Sequence, residues 1–130
     1  MTSRFYPQLL LTSVLLLLAS WVQALEIQPY SAAALQQLQA QGKAVALHFH
    51  ADWCPTCRAQ ESALRGLQND PQLKEMTLLV VNYDTERDLK KRLNVRAQSL
   101  LVVFKGNRET TRQGGETAPD KLKAALLTAR

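Results

Sequence analysis

Short apolar runs alternate with helix-forming segments along this chain, and this alternation restricts its possible folds more than any other feature. Residues 44–50 (AVALHFH), 78–83 (LLVVNY) and 100–104 (LLVVF) each have the length and the apolar content of a buried strand. Strands that alternate with helices and finish in a hairpin predict a mixed sheet. We therefore expect an α/β fold with a mixed central sheet and helices on both faces.

Helix caps and turn residues lie between the predicted strands. Ser31 is a suitable N-cap for a helix over Ala32–Ala40, which Gly42 ends, and Pro55 suits the first turn of a helix that runs to about Leu67. The predicted order of elements is α-β-α-β-α-β-β-α. The remaining elements are a short helical piece after the turn at residues 69–71, a charged helix at 86–93, a hairpin of strands 100–104 and 109–113 around Gly106-Asn107, and an amphipathic helix at 119–129.

The composition indicates one globular domain and excludes several classes of protein. Of the 130 residues, 46% are hydrophobic and 21% are charged, which argues against a disordered chain. Two cysteines are too few for a disulfide-dense secreted scaffold or a zinc ribbon. The net charge of +5 is compatible with a nucleic-acid partner, but the basic cluster Lys90-Lys91-Arg92 follows Glu86 and Asp88 and contains no aromatic residue. A solvated helix face explains this cluster, so no nucleic acid is expected as a partner.

The amino-terminal segment has the pattern of a secretory signal peptide. Arg4 precedes an almost wholly apolar run at residues 9–22, and a small-residue exit, Val22-Gln23-Ala24, follows. The run is shorter than the ~20 residues of a membrane-spanning helix, although an uncleaved anchor is the alternative. We expect residues 1–24 to be removed on export to the periplasm, which leaves one domain at residues 25–130. Contact with a membrane is expected only if the segment is retained.

Cys54 and Cys57 lie three residues apart, at the junction between a predicted strand and a predicted helix. A disulfide across so short a loop constrains the unfolded chain only weakly, so redox chemistry is favoured over a structural bridge. Unpaired backbone N–H groups and the helix dipole at a helix start stabilise a thiolate. Cys54 is therefore the predicted nucleophile, and Cys57 is predicted to resolve the mixed disulfide that Cys54 forms.

Residues 49–57, FHADWCPTC, resemble the active-site stretch of the thioredoxin superfamily, and more closely that of secreted bacterial thioredoxin-like proteins. The ADWC part is similar to the thioredoxin-like domain of the bacterial transmembrane thiol:disulfide interchange protein. The resemblance extends over nearly all of residues 25–130, including Gly115 before the last helix. It implies a thioredoxin-like fold and a thiol:disulfide oxidoreductase that exchanges with protein disulfide or dithiol substrates. A membrane or soluble thiol would be its electron donor, and no cofactor is implied.

Three positions depart from the pattern of the family that the chain resembles. Ser99 stands in place of the family's cis-proline. Without proline, a cis Gln98–Ser99 bond would cost ~3–4 kcal/mol, so we expect a trans bond, or a strained cis bond held by the fold. The serine also brings a hydroxyl close to the cysteine pair. His48 occupies the position of a buried acid in many thioredoxins, and Val80 occupies that of the lysine that often partners it, so both members of that pair are missing together.

The two histidines have alternative roles. His48 either accepts the proton of Cys57 or is a neutral, hydrogen-bonded residue of the core. His50 is expected to pack or to line the active site rather than to bind a metal. A metal or iron–sulfur site built from Cys54 and Cys57 and completed by His50 or a second chain is the alternative function.

The residues that flank the cysteines complete the candidate site. Trp53 is expected to shape the surface that faces the substrate, and Asp52 is expected to be exposed. The Pro55-Thr56 pair provides no cation for the thiolate, which favours a reductase or isomerase over a strong oxidase. A redox-inactive binding module is a further alternative, but such a module would not need both cysteines.

Overall fold

The computed structural model describes residues 24–130, which form a mixed β-sheet with helices on both faces. The strands are β1 (Leu25–Pro29), β2 (Ala44–His50), β3 (Met76–Asn82), β4 (Leu100–Lys105) and β5 (Arg108–Gly114). The helices are α1 (Ala32–Ala40), α2 (Pro55–Arg65), α3 (Arg87–Arg92) and α4 (Pro119–Leu127), with a short 3₁₀ helix at Pro71–Leu73. Except for Ala24, the predicted signal segment lies outside the described residues, so its removal stays a prediction.

The strands are ordered β1-β3-β2-β4-β5 across the sheet. β1 and β2 lie parallel to β3, whereas β4 runs antiparallel to β2, and β5 runs antiparallel to β4. This arrangement confirms the predicted α/β class with a mixed central sheet between layers of helices. Within residues 24–130, no helix combines the length and the apolar character needed to cross a bilayer.

The predicted order of elements was wrong at its start, because it omits β1. This strand has five residues, ends in Pro29 and forms one edge of the sheet, and Leu25 is its one fully buried residue. A short segment with little apolar alternation and a proline is a weak strand signal. Its pairing with β3, from Leu25 opposite Met76 to Pro29 opposite Val80, makes it a strand.

Two hydrophobic clusters fill the space between the sheet and its helices. Alternate residues of β2 face opposite sides of the sheet, so Ala46 belongs to one cluster and Phe49 to the other. The buried α-helical members of the first cluster come from α2 and α4 and are Leu64, Leu122, Ala125 and Leu126. Those of the second cluster come from α1 and α3 and are Leu35 and Leu89. Both faces of β2 are therefore covered, which agrees with its continuous apolar sequence.

The ends of several elements differ by a few residues from the predicted ones. α2 ends at Arg65 rather than near Leu67, and α4 ends at Leu127 rather than at residue 129. Leu67 still packs against the core, but it does so from the turn that follows α2. A partly buried leucine in that turn continues the apolar pattern beyond the helix, which explains the overlong prediction. The hairpin around Gly106-Asn107 is confirmed, with Gly106 in the left-handed region at φ +58°.

Candidate active site

Cys54 and Cys57 lie where β2 passes into α2, at the predicted helix start. Cys54 is the N-cap of α2, with an extended backbone (φ −94°, ψ 112°), and Pro55 follows in the first turn. The Cys54 Sγ accepts a hydrogen bond from the backbone N–H of Cys57 at 3.1 Å. The sulfur thus takes the place of a serine or aspartate oxygen in an ordinary N-cap, where unpaired N–H groups and the helix dipole favour a negative charge.

The two thiols differ in acidity. Burial acts to raise the pKa of Cys54, but hydrogen bonds from the Cys57 thiol, from Ser99 and from the backbone N–H groups of Cys57 and Thr56 outweigh burial and lower that pKa. Burial is the main reason why the pKa of Cys57 is raised, and its hydrogen bond with Cys54 adds to the rise. Cys54 therefore ionises first, while Cys57 keeps its proton.

Trp53 is the exposed side chain beside the cysteines. Its side chain is 59% exposed, whereas Cys54 is 3% exposed and Cys57 is fully buried. The Trp53 indole N–H donates to the Asp84 carboxylate at 2.9 Å, which restricts the orientation of the ring. Trp53, Asp52 and Asp84 contribute to a shallow groove of about 260 Å³. The groove therefore carries an exposed indole ring together with two carboxylates.

Ser99 lies against both cysteines through its side chain. The peptide bonds of residues 24–130 are all trans, so the Gln98–Ser99 bond is trans, the first of the two expected outcomes. The strain is found instead in the dihedral angle φ of Ser99, which is +62°. The Ser99 Oγ lies 3.1 Å from the sulfur of Cys54 and 3.1 Å from that of Cys57.

Gln60 is a buried residue of this site that sequence reasoning missed. It is fully buried, and its side-chain amide donates to the backbone oxygens of Ser99 at 3.0 Å and Glu116 at 2.9 Å. Glutamine is usually a surface residue, so the residue type alone does not predict that Gln60 is buried. Its spacing from Cys57 and Leu64, at i+3 and i−4, places it on the buried face of α2 and was the available signal.

His48 is neutral because it is buried, and the same glutamine fixes which ring nitrogen carries its proton. Because both N–H groups of the Gln60 amide are donated to backbone oxygens, its Oε1 must accept from His48 Nε2, which lies 2.9 Å away. The Nε2–H tautomer follows, and the buried Nδ1 has no partner among the described residues. Burial lowers the pKa of His48 to about 4. These contacts favour the core alternative for His48, since so weak a base is poorly suited to accept a proton from Cys57.

His50 faces carboxylates. Its ring packs edge to face against that of His48, with centroids 5.4 Å apart, and its Nε2 lies 3.0 Å from Asp52 and 3.8 Å from Glu61. The Asp52 side chain is fully exposed, as predicted, while His50 is buried and lines the groove beside Trp53. Within residues 24–130, no group of three or more His, Cys, Asp or Glu residues is arranged to hold a metal ion.

Solved structures of thioredoxin-like proteins resemble this fold. Trxlp from Edwardsiella tarda is 37% identical, with a TM-score of 0.74 over 78% of this chain and 98% of that protein. The thioredoxin of Malassezia sympodialis, Mala s 13, has a TM-score of 0.67 over 79% of this chain and 90% of that one; at 22% identity this likeness concerns the fold alone.

Sequence comparisons agree with the structural ones. Thioredoxin-1 of Drosophila yakuba is 30% identical over 69 residues, which are 53% of this chain and 64% of that relative. The chain therefore aligns with slightly less than two thirds of this curated relative. The family model described as thioredoxin matches residues 27–128, from β1 to the end of α4. The chain is a member of the thioredoxin family.

Proposed function

We propose that this protein is a thiol:disulfide oxidoreductase that exchanges its Cys54–Cys57 pair with disulfides or dithiols of protein substrates. The observation that carries this proposal is the N-cap position of Cys54, whose sulfur receives the backbone N–H of Cys57 at 3.1 Å. The lowered pKa of Cys54 and the raised pKa of Cys57 support a mechanism in which Cys54 attacks as a thiolate and Cys57 stays protonated until it resolves the mixed disulfide. Membership of the thioredoxin family supports the same chemistry.

The reaction follows from the difference between the two thiols. The Cys54 thiolate attacks one sulfur of a substrate disulfide, which forms a mixed disulfide and releases the other substrate sulfur as a thiolate that takes a proton from water. Cys57 then loses its proton and attacks the Cys54 sulfur. The Cys54–Cys57 disulfide forms, and the second substrate thiol leaves. A membrane or soluble thiol donor returns two electrons and two protons to complete the cycle.

Insulin reduction tests this proposal. With dithiothreitol as the electron source, the mature domain is expected to accelerate precipitation of the insulin B chain, and Cys54→Ser is expected to abolish the acceleration. In the absence of dithiothreitol, pre-reduced Cys57→Ser should retain the first attack and accumulate a mixed disulfide, which mass spectrometry detects as an adduct on Cys54. Undiminished activity of the Cys54→Ser protein would show that the dithiol does not carry the reaction.

We place the protein on the reductase or isomerase side of this chemistry. In the described part of the chain, the recorded partners of the two sulfurs, besides each other, are uncharged: the Ser99 hydroxyl and backbone groups of Phe49, Ala51, Thr56 and Cys57. A cation beside the thiolate would stabilise the reduced form and make the pair more oxidising. In equilibration with glutathione, a reduction potential of about −270 mV would place the protein among the reductants, whereas a potential of about −120 mV would identify an oxidase and contradict the proposal.

We propose further that the protein works in the periplasm after loss of residues 1–24. The signal-like pattern of this segment supports export, and β1 begins at Leu25, so cleavage after Ala24 leaves the strand intact. Expression of the full chain in a Gram-negative host is expected to yield a periplasmic protein whose amino terminus is Leu25. Recovery of the uncleaved chain from the membrane fraction would contradict the proposal and identify an anchor.

A further inference from the structure

The Ser99 hydroxyl is shared between the two reacting sulfurs. Its oxygen is 3.1 Å from the Sγ of Cys54 and 3.1 Å from the Sγ of Cys57, and the residue is 6% exposed. A hydroxyl has one hydrogen to donate and two lone pairs with which to accept. Ser99 can therefore donate its hydrogen to only one of the two sulfurs at a time.

The backbone of Ser99 is fixed on both sides of this side chain. Its N–H donates to the carbonyl oxygen of Phe49 at 2.9 Å, and its carbonyl oxygen accepts from the N–H of Gly115 at 2.9 Å and from the Gln60 amide at 3.0 Å. A serine at φ +62° is strained where glycine would not be. The fold thus holds a strained residue in place, and the hydroxyl that distinguishes it from glycine points at the sulfurs.

We propose that the Ser99 hydroxyl is a catalytic donor that follows the negative charge from Cys54 to Cys57 during disulfide exchange. This inference rests on the proposed dithiol mechanism and assigns a role to a residue of the same site. In the reduced protein the hydroxyl donates to the Cys54 thiolate, because a charged sulfur is the stronger acceptor. The S–H of Cys57 donates to the same thiolate, so the hydroxyl is one of two side-chain donors to Cys54 in this state.

The hydroxyl donates to the other sulfur once the mixed disulfide has formed. Cys54 then carries no charge, because its sulfur is bonded to a substrate sulfur, so the hydroxyl hydrogen is released from it. As Cys57 loses its proton to water, the same hydroxyl turns and donates to the Cys57 thiolate. That thiolate attacks the Cys54 sulfur, the bond to the substrate breaks, and the departing thiolate is protonated. Ser99 keeps its own proton throughout, so it stabilises both thiolates without being consumed.

The experiment compares two variants that lack the hydroxyl and differ in backbone strain. Ser99→Ala keeps a side chain at φ +62°, whereas Ser99→Gly relieves the strain and folds at least as easily. The pKa of Cys54 is measured from thiolate absorbance at 240 nm in each reduced protein. A charge-assisted hydrogen bond to the thiolate predicts a rise of this pKa by about one unit in both variants.

The exchange steps are measured with 5,5′-dithiobis(2-nitrobenzoate), with reduced protein in excess. Attack by Cys54 releases the first equivalent of yellow thiolate, and resolution by Cys57 releases the second. In both variants we expect the second release to be about tenfold slower at neutral pH, since the emerging Cys57 thiolate lacks its donor.

Several outcomes would overturn this role for Ser99. If the second release were slow in Ser99→Ala but as fast as wild type in Ser99→Gly, backbone strain and not the missing hydroxyl would explain the slow step. If the pKa of Cys54 rose but the second release kept its rate, the hydroxyl would donate to Cys54 and have no role at Cys57. If the pKa of Cys54 did not change, the hydroxyl would not donate to the Cys54 thiolate. If the wild-type protein released one equivalent only, the dithiol mechanism would fail, while the pKa comparison would still decide whether Ser99 donates to Cys54.

Discussion

A glutamine and a histidine form a polar centre behind the cysteines. Gln60 and His48 are both buried, and the Gln60 amide links the His48 ring to the backbone of residue 99, which faces the two sulfurs. The sequence marks His48 as unusual, because it stands where many thioredoxins have a buried acid. No motif marks Gln60 in the sequence. Its place in the site depends on hydrogen bonds to the backbone oxygens of residues 99 and 116, which lie far along the chain.

At the residue scale, His48 is expected to make the folded protein less stable in acid. Its pKa of about 4 lies below the ordinary value of 6.5, so between these pH values the unfolded chain binds a proton that the folded chain does not. The free energy of unfolding therefore falls as the pH drops from 6.5, by about 3 kcal/mol once pH 4 is reached. His48→Gln, which keeps a donor towards Gln60, is expected to remove this part of the loss.

Urea denaturation between pH 4 and pH 7 measures this effect. Asp70 and Glu109 also have lowered pKa values, owing to hydrogen bonds with Lys123 and Arg112, respectively, and they cause their own loss of stability in acid. That loss is common to wild type and variant, so the difference between the two curves reports His48. A difference that stays constant over the whole pH range would contradict the prediction.

At the scale of elements, α2 depends on a cysteine both for its cap and for its chemistry. The Cys54 sulfur accepts the N–H of Cys57, and Ser31 caps α1 in the same way by accepting the N–H of Ala34 at 3.0 Å. This equivalence is readable from sequence, because proline in the first turn and a capping residue before it mark a helix start. The local sequence thus predicted where the nucleophile would lie.

Because Cys54 is both the helix cap and the proposed nucleophile, substitutions at position 54 are expected to affect stability and activity differently. Cys54→Ser is expected to stay within about 0.5 kcal/mol of the wild-type stability, because serine is a good N-cap, whereas Cys54→Ala should lose about 1 kcal/mol. Both variants should be inactive towards insulin, since neither has the nucleophile. Chemical denaturation of the reduced proteins checks this, and equal stability of the serine and alanine variants would show that the cap contributes nothing.

At the scale of the whole molecule, the two ends of the described chain meet in one core. Leu25 from β1 lies in the same hydrophobic cluster as Leu126 from α4 and Ala129 just beyond it. The cluster also contains Leu78 from β3, the strand that pairs with β1. A domain of this size has a modest core, so each fully buried side chain accounts for a large part of its stability.

Leu25 is therefore expected to matter more than its place in a short edge strand suggests. Leu25→Ala removes a fully buried side chain and should cost about 2–5 kcal/mol of unfolding free energy. Ile27→Ala is the matched control: Ile27 is on the same strand but only partly buried, so its loss should be smaller. Urea midpoints of the two variants measure the difference, and a Leu25 variant as stable as the Ile27 variant would contradict the role given to β1.

The sequence by itself determined the features that depend on neighbouring residues. The α/β class follows from the alternation of apolar runs with capped helices, and the proposed roles of Cys54 and Cys57 rest on their spacing at a helix start. These features hold because a helix cap, a strand pattern and a three-residue spacing are each specified within a few positions of the chain.

Only the tertiary structure decided the contacts that join distant parts of the chain. β1 becomes a strand because β3 pairs with it, and Gln60 becomes a site residue because the backbone oxygens of residues 99 and 116 lie beside it. Ser99 is 45 residues from Cys54 and 42 from Cys57, yet its hydroxyl touches both sulfurs. The physical reason is that such contacts depend on how the sheet and α2 pack together, which no local pattern encodes.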